Sequence, residues 1–303
     1  MQHSGHTGAH ETPGRWHILG AGRIGTLAAC YLQRAGAETI VVRPGPAHTR
    51  RVSLVFDRET TSATKKLELT VKPATDCGPI TLLLVACKTP YTEAALARLP
   101  LTDSATVVRL QNGLGSLDSR LKPGQRLIEG VTASAVMSQT EDTLRVVAEN
   151  ATTFGGGPRP TWFDGLAEHW PGLAWAADIR PVQWRKLVVN AALNPLTAIH
   201  DVPNGALLER PDLRAEMTTL IDEADTVLAR LDQSWPANSH ASVADVVRAT
   251  AGNTSSMRAD IHAGAITEIA AINGWLLQRA EELGLDLPAH RRIVARVHAL
   301  EPK

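Results

Sequence analysis

The feature that most constrains this chain is a glycine-rich turn near its start. Gly20-Ala-Gly-Arg-Ile-Gly25 follows a short apolar run at residues 15–19 and opens a segment with helical spacing that reaches residue 35. A second apolar run at residues 38–42 completes a strand, turn, helix, strand pattern. In such a unit the glycines permit a tight turn, close approach of a pyrophosphate and close packing of the helix on the strand. This context predicts a dinucleotide site, with a purely structural glycine turn as the alternative. Its predicted residues are Gly20, Ala21, Gly22, Arg23, Ile24 and Gly25.

The tip of the second strand bears on which nucleotide is bound. Chains that bind NAD often carry Asp or Glu there, where the carboxylate holds the ribose hydroxyls. Here the tip reads Val41-Val-Arg43-Pro-Gly45, without an acid. Because a guanidinium matches phosphate geometry, Arg43 is a candidate ligand for the 2′-phosphate of NADP(H). A solvated loop arginine is the alternative, and Arg50 and Arg51 are further candidates without an assigned position.

Apolar periodicity predicts the fold class of the first half. Apolar runs at residues 80–85, 105–110 and 126–136 predict sheet strands, and residues 146–154 predict strands near the sheet edge. Residues 91–99 predict a helix. Alternating strands and helices indicate an α/β fold with a Rossmann-type doubly wound sheet.

The pattern of apolar residues changes at about residue 178, after which no strands are predicted. Helices are predicted at residues 184–199, 210–231, 243–250 and 256–283. The sequence therefore predicts an all-helical C-terminal domain at residues 178–303, after a dinucleotide-binding domain at residues 16–177. Residues 1–15, polar and containing His3, His6 and His10, are predicted to be a flexible tail.

Composition excludes several function classes. The 31 Lys and Arg residues balance 31 Asp and Glu residues, which argues against binding nucleic acid or an anionic membrane through bulk charge. The sequence contains no run of 18 apolar residues, so a membrane-spanning helix is not predicted. The residues before the first strand lack the apolar centre of a secretory signal. Three cysteines at irregular spacing predict neither a disulfide framework nor a metal site. We therefore expect a cytoplasmic enzyme that acts on a small molecule, and the sequence leaves its oligomeric state open, a homodimer included.

A polar stripe marks the first helix of the second half. Lys186, Asn190 and Asn194 recur at intervals of four, so they share one helical face among apolar neighbours. Asparagine is a mediocre helix former, so two in an apolar helix call for an explanation. Pro195 is expected to kink this helix. A substrate site and simple helix–helix hydrogen bonding explain the stripe equally well.

Other polar groups are candidates to join this stripe. Glu268 lies in an apolar stretch, where a buried carboxylate needs a partner, and Lys186 is the obvious one.

Lys88 and Asn112 follow predicted strands and are expected at the carboxyl edge of the sheet, where such folds bind ligands. A surface lysine and a plain turn are the respective alternatives. Ser255 and Ser256 are equally compatible with a helix cap.

Together these motifs resemble the ketopantoate reductase family. The resemblance is carried by Gly20-Ala-Gly-Arg-Ile-Gly25, Gln111-Asn-Gly-Leu-Gly115, Trp184-Arg-Lys-Leu-Val-Val-Asn190, Asn194-Pro-Leu-Thr197, Pro203-Asn-Gly205, Ser255-Ser-Met257 and Thr267-Glu268 with Ile272-Asn-Gly274. It extends from about residue 16 to the end, whereas residues 46–78 show little that matches.

The resemblance implies NADPH-dependent reduction of 2-dehydropantoate to pantoate, in pantothenate and coenzyme A synthesis. It implies that Lys186 is the general acid and that Glu268 orients the lysine and the substrate. By the same resemblance, Arg43 and Lys88 match groups near the adenosine phosphate. Residues matching substrate-binding positions are Asn112, Asn190, Asn194, Asn253 and Ser256, and Asn112 also lies beside the cofactor.

Two alternatives remain at this point. The chain could be a paralogous reductase of another 2-keto acid, since these motifs fix the chemistry better than the substrate. It could also be a redox sensor that binds the nucleotide without catalysis, which an intact Lys186 and Glu268 argue against.

Overall fold

The computed structural model describes residues 14–57 and 62–302. They divide into two compact units. The first runs up to Cys87 and includes Ala94–Gln111 and Leu121–Ile179. The second comprises Lys88–Glu93, Asn112–Arg120 and the chain from Arg180 onward. The domain limits predicted from the sequence stay predictions. The predicted tail and its histidines lie outside the described residues, except residues 14 and 15.

Within the described residues of the first unit, eleven strands form one sheet. In chain order the strands are β1 (Arg15–Leu19), β2 (Glu38–Val42), β3 (His48–Asp57), β4 (Ser62–Lys72), β5 (Ile80–Val85), β6 (Leu101–Arg109), β7 (Arg126–Thr132), β8 (Ala135–Ser138), β9 (Thr143–Ala148), β10 (Thr152–Gly155) and β11 (Leu173–Ala176). Their spatial order is β11-β10-β7-β6-β5-β1-β2-β4-β3-β9-β8. The strands from β7 to β4 in this order are parallel, as predicted for a Rossmann-type sheet.

The centre of this sheet fits the sequence prediction closely. β1 pairs in parallel with β2 on one side and with β5 on the other, so the order of strands reverses at β1. Ligands of doubly wound sheets bind at such a reversal, at the carboxyl ends of the strands. Helix α1 (Arg23–Arg34) connects β1 to β2, and Gly36 follows it with a φ of 83°. Ile80, Leu83 and Leu84 have no exposed surface, which explains why β5 reads as a continuous apolar run.

The structure adds two strands to the prediction and shortens one predicted helix. Residues 46–78, for which the sequence predicts no element, contain the antiparallel pair β3 and β4. The predicted helix at residues 91–99 is wrong in extent, because the α-helix is only α2 (Thr92–Leu96), preceded by a 3₁₀ turn at Thr89–Tyr91. Thr92 and Glu93 of α2 belong to the second unit, and the first unit also contains α3 (Phe163–Ala167).

Seven helices form the described part of the second unit. They are α4 (Arg180–His200), α5 (Ala206–Glu209), α6 (Pro211–Leu231), α7 (His240–Ala249), α8 (Ser256–His262), α9 (Ile269–Glu282) and α10 (Pro288–His298). Helix α4 packs against α6, α7, α8, α9 and α10, and its buried residues lie at the centre of the apolar core. None of the described helices is long and apolar enough to cross a membrane.

The prediction of one helix at residues 256–283 is wrong. The chain leaves helical geometry after His262, and Gly264 adopts a φ of +60°. A new helix, α9, begins only at Ile269, which places Glu268 at its N-cap. The break therefore puts Glu268 at the start of a helix instead of in the middle of one.

Candidate functional site

The glycine-rich turn is shaped by backbone contacts that exclude side chains. Gly20 has a φ of +102°, and a Cβ there would collide with the backbone nitrogen of Cys87. A Cβ on Gly25 would collide with the carbonyl oxygen of Gly20. These two glycines are therefore required by the fold of the turn itself.

Gly22 has a different environment. It is the N-cap residue of α1, no side chain caps the helix there, and a Cβ at Gly22 would meet nothing within 4 Å. The first N–H groups of a helix lack intrahelical partners and carry positive potential. The turn therefore combines uncapped amides with open space beside the backbone, which fits the pyrophosphate of a dinucleotide. Arg23 and Ile24 form the first turn of α1, and Ala21 accepts a hydrogen bond from Thr26 Oγ1 at 3.3 Å.

The three candidate arginines after β2 have distinct surroundings. Arg50 donates to the carbonyl oxygens of Glu141 (2.6 Å) and Ala21 (3.4 Å), so it braces the glycine-rich turn. Arg51 pairs with Glu68 across the β3–β4 strands at 2.9 Å. Arg43 is exposed and, within the described residues, its side chain has no ion-pair partner. Of the three, Arg43 is the one left available for a phosphate.

The polar stripe of α4 lies as the sequence predicted, on a helix that continues through Pro195 to His200. Lys186 and Asn190 are partly buried and Asn194 is 5% exposed. Neither asparagine side chain has a hydrogen-bond partner among the described residues, which argues against the helix–helix bonding alternative. Burial lowers the pKa of Lys186 to about 8, and the charge of Glu268 opposes this shift.

Glu268 is held at the start of α9 by groups from two loops. Its Oε1 accepts the backbone N–H of Thr89, and its Oε2 accepts Asn112 Nδ2, both at 3.3 Å. Burial raises the pKa of this carboxyl group, the charge of Asp260 adds to the rise, and the two hydrogen bonds and Lys186 oppose it. Burial thus moves the pKa values of Lys186 and Glu268 toward each other, as is common for ionisable groups at functional sites.

The loop that carries Asn112 is anchored to α9. Leu114 donates its backbone N–H to the carbonyl oxygen of Ala271 at 2.8 Å. A Cβ on Gly113 would lie 2.6 Å from the same oxygen, and its φ of +79° also favours glycine. The Asn-Gly sequence at this point is therefore explained by a close approach to α9 as well as by the turn.

Lys88, which is predicted to contact the cofactor at the carboxyl edge of the sheet, belongs to the second unit. Its Nζ forms an ion pair with Asp260 Oδ1 on α8 at 2.6 Å, and Asp260 was not predicted as part of the site. The expected role of Lys88 near the adenosine phosphate stays a prediction.

Ser255 and Ser256 have different roles in the structure, since only Ser255 caps a helix. Ser255 is the N-cap of α8, since its Oγ accepts the N–H of Arg258 at 3.1 Å, and it also contacts the Thr197 hydroxyl at 2.7 Å. Ser256 and Asn253 are exposed. The cap alternative therefore applies to Ser255 and leaves Ser256 and Asn253 as candidate binding residues.

Two sets of hydrogen bonds near Glu268 were not predicted from the sequence. Thr267, its neighbour, donates its N–H and its hydroxyl to Glu301 Oε1 at 2.8 and 2.6 Å. Asn273 on α9 donates to the carbonyl oxygen of Ala191 on α4 at 2.8 Å. No local pattern in the sequence indicates the role of Glu301. The role of Asn273 is easier to foresee, because Pro195 leaves the Ala191 carbonyl without its helical donor and thus in need of another partner.

Comparisons with known proteins identify the family of the chain. The family model described as ketopantoate reductase PanE/ApbA matches residues 16–159, and its C-terminal counterpart matches residues 178–301. The 2-dehydropantoate 2-reductase of Archaeoglobus fulgidus is 30% identical over 95% of this chain and 98% of its own. That of Shigella flexneri is 32% identical over 94% of each chain. A dimeric ketopantoate reductase from Staphylococcus aureus shares the fold with a TM-score of 0.80, at 19% identity, over 95% of this chain and 98% of its own.

Proposed function

The chain belongs to the ketopantoate reductase PanE/ApbA family of nucleotide-binding oxidoreductases, and we propose that it reduces 2-dehydropantoate to pantoate with NADPH. This reaction belongs to pantothenate and coenzyme A synthesis. One observation carries the proposal: a buried amine, Lys186, shares a helical face with two amides that have no protein partner among the described residues, beside the charge of Glu268.

Lys186 is the proton donor in this proposal. NADPH, when bound, supplies a hydride to the keto carbon. The carbonyl oxygen gains negative charge as the carbon is reduced, and the Lys186 ammonium stabilises it and gives it a proton. The lysine is left neutral and regains its proton from water. A pKa of about 8 suits this role, because the amine is charged at neutral pH and still releases its proton readily.

Glu268 positions the lysine and the substrate. Its charge favours the ammonium form of Lys186, while Thr89 and Asn112 fix its carboxylate by one hydrogen bond to each oxygen. Each carboxylate oxygen has a further lone pair, with which it can accept a substrate hydroxyl. The carboxylate therefore contributes orientation and does not itself exchange the reaction's proton.

The remaining polar groups suit a hydroxylated keto acid. The amides of Asn190 and Asn194 can donate to a carboxylate or a keto oxygen and accept from a hydroxyl. We assign Asn253 and Ser256, both exposed, to the same substrate.

NADP(H) is the cofactor we propose for the glycine-rich turn. The uncapped amides of α1 would hold the pyrophosphate, and Arg43 would hold the 2′-phosphate. Lys88 and Asn112 are proposed to contact the same cofactor. A homodimer and a cytoplasmic location stay predictions.

An assay of NADPH oxidation with a panel of 2-keto acids tests the proposal. The matched control for 2-dehydropantoate is 3,3-dimethyl-2-oxobutanoate, which lacks only the hydroxyl group. Loss of that hydroxyl leaves buried polar groups unpaired, which costs about 1–3 kcal/mol. We therefore expect a higher kcat/KM for 2-dehydropantoate. Preference for another acid would make the chain a reductase of that acid, and no oxidation with any acid would favour a nucleotide sensor without catalysis.

A further inference from the structure

Pro195 creates a specific defect in α4. In an α-helix each carbonyl accepts the N–H four residues later. Proline has no N–H, so the carbonyl of Ala191 cannot form this bond. Ala191 is 1% exposed, and water therefore offers little compensation. A buried carbonyl in this position needs a partner from elsewhere in the fold.

Asn273 provides that partner. Its Nδ2 donates to the Ala191 oxygen at 2.8 Å, and its side chain has no exposed surface. Its Oδ1 is buried and has no hydrogen-bond partner within the described residues. Because an unpaired buried oxygen is unfavourable, packing alone would favour an apolar residue here. The donated bond is therefore the reason for an asparagine at this position.

The location of this bond connects it to the catalytic pair. Ala191 follows Lys186 by five residues on α4, and Asn273 follows Glu268 by five residues on α9. Five residues of helix rise about 7.5 Å. The Asn273–Ala191 bond thus ties the two helices together at matching distances from the lysine and from the carboxylate. Ala191 also lies between Asn190 and Asn194 in the chain.

We propose that Asn273 is a positioning residue, which sets Glu268 against Lys186 by repairing the helix at Pro195. The inference rests on the proposed function of that pair. Asn273 takes no part in the chemistry itself, since its amide is bonded to the backbone of α4.

The first test is Asn273→Leu, which keeps the branched shape and the number of heavy atoms of the side chain and removes the donor. If Glu268 moves away from Lys186, the lysine loses an interaction that favours its charged form. We expect the Lys186 pKa, measured by NMR titration of ¹³C-labelled lysine in the ligand-free protein, to fall. We also expect kcat to fall by about tenfold to a hundredfold, as for a small displacement of reacting groups. Ile272→Val is the matched control, because it removes one buried methyl group from the neighbouring position without touching the bond.

The second test is the double variant Pro195→Ala with Asn273→Leu. Alanine at 195 restores an N–H to which the Ala191 carbonyl can bond within α4. Asn273→Leu should therefore change the Lys186 pKa and kcat much less in this background than in the wild-type background. Asn273→Ala replaces Asn273→Leu in both backgrounds should the leucine variant fail to fold.

The outcomes separate the two proposals. An unchanged Lys186 pKa in Asn273→Leu, or equal effects of that change in both backgrounds, overturns the positioning role. A wild-type protein that reduces no keto acid overturns the proposed function, while the NMR titration still decides the role of Asn273.

Discussion

The first unit forms its candidate site from backbone groups, whereas the second unit forms its candidate site from side chains. In the first, the glycine-rich turn offers backbone N–H groups and open space, and its shape depends on where side chains are absent. In the second, Lys186 is a side chain on α4 and Glu268 is a side chain at the N-cap of α9, where Thr89 and Asn112 hold its carboxylate. A site made of backbone is specified by a few neighbouring residues. A site made of side chains depends on the packing that brings distant residues together, and substitutions should test this contrast.

The largest effect is expected in the side-chain site. Lys186→Ala removes the proton donor, so turnover should fall by about 10²–10⁴-fold. The dissociation constant for NADPH, measured by quenching of protein fluorescence, should change little. Arg185→Ala, at the exposed neighbouring position of α4, is the control and should keep full turnover. Unchanged turnover in Lys186→Ala would refute the assigned role.

The backbone site should respond according to the space around each glycine. Gly25→Ala places a methyl group against the Gly20 carbonyl, and such overpacking costs about 1–3 kcal/mol, so Tm should fall. Gly22→Ala meets no protein atom within 4 Å, so Tm should stay near the wild-type value. Its methyl group would occupy the space for pyrophosphate, so NADPH binding should weaken about tenfold or more, equivalent to about 1.4 kcal/mol per factor of ten. Normal NADPH binding by Gly22→Ala would contradict the proposed location of the pyrophosphate.

The pH dependence of reduction should report on Lys186. Reduction requires the ammonium form, so kcat/KM for the keto acid should fall as pH rises through a pKa of about 8. For a single group the fall approaches about tenfold per pH unit. In Lys186→Arg the residual activity should lose this alkaline limb, since the guanidinium keeps its proton. An alkaline limb that persists in the arginine variant would belong to another group.

The smallest effect is expected at the exposed cofactor contact. Arg43→Ala should reduce the preference for NADPH over NADH by about fivefold to tenfold, because it removes one charge-assisted interaction with the 2′-phosphate. Arg51→Ala is the control, since Arg51 is also exposed but pairs with Glu68. Equal changes in the two variants would indicate a general effect of charge and no specific phosphate contact.

Local patterns predicted the parts of the fold that depend on local interactions. The strand–turn–helix–strand unit from β1 to β2 was predicted because glycine spacing and apolar periodicity determine it within a short stretch. The break between α8 and α9 was missed because apolar spacing continues across residues 263–268, while the chain turns at Gly264, whose φ is positive. The β3–β4 pair was missed because half-exposed strands lack a strong apolar signal.

In the candidate site, too, the local features were predicted from the sequence and the long-range contacts were not. The stripe of Lys186, Asn190 and Asn194 follows from helical spacing alone. The ion pair between Lys88 and Asp260 does not, because its members are far apart in sequence and only tertiary packing brings them together.

The bonds from Thr267 to Glu301 give the end of the chain an unexpected importance. Glu301 accepts two hydrogen bonds from the residue directly before Glu268. A protein trimmed by its last three residues would lose both bonds, although none of the removed residues belongs to the site. The activity of any version of this chain that lacks Glu301 should therefore be compared with that of the 303-residue chain.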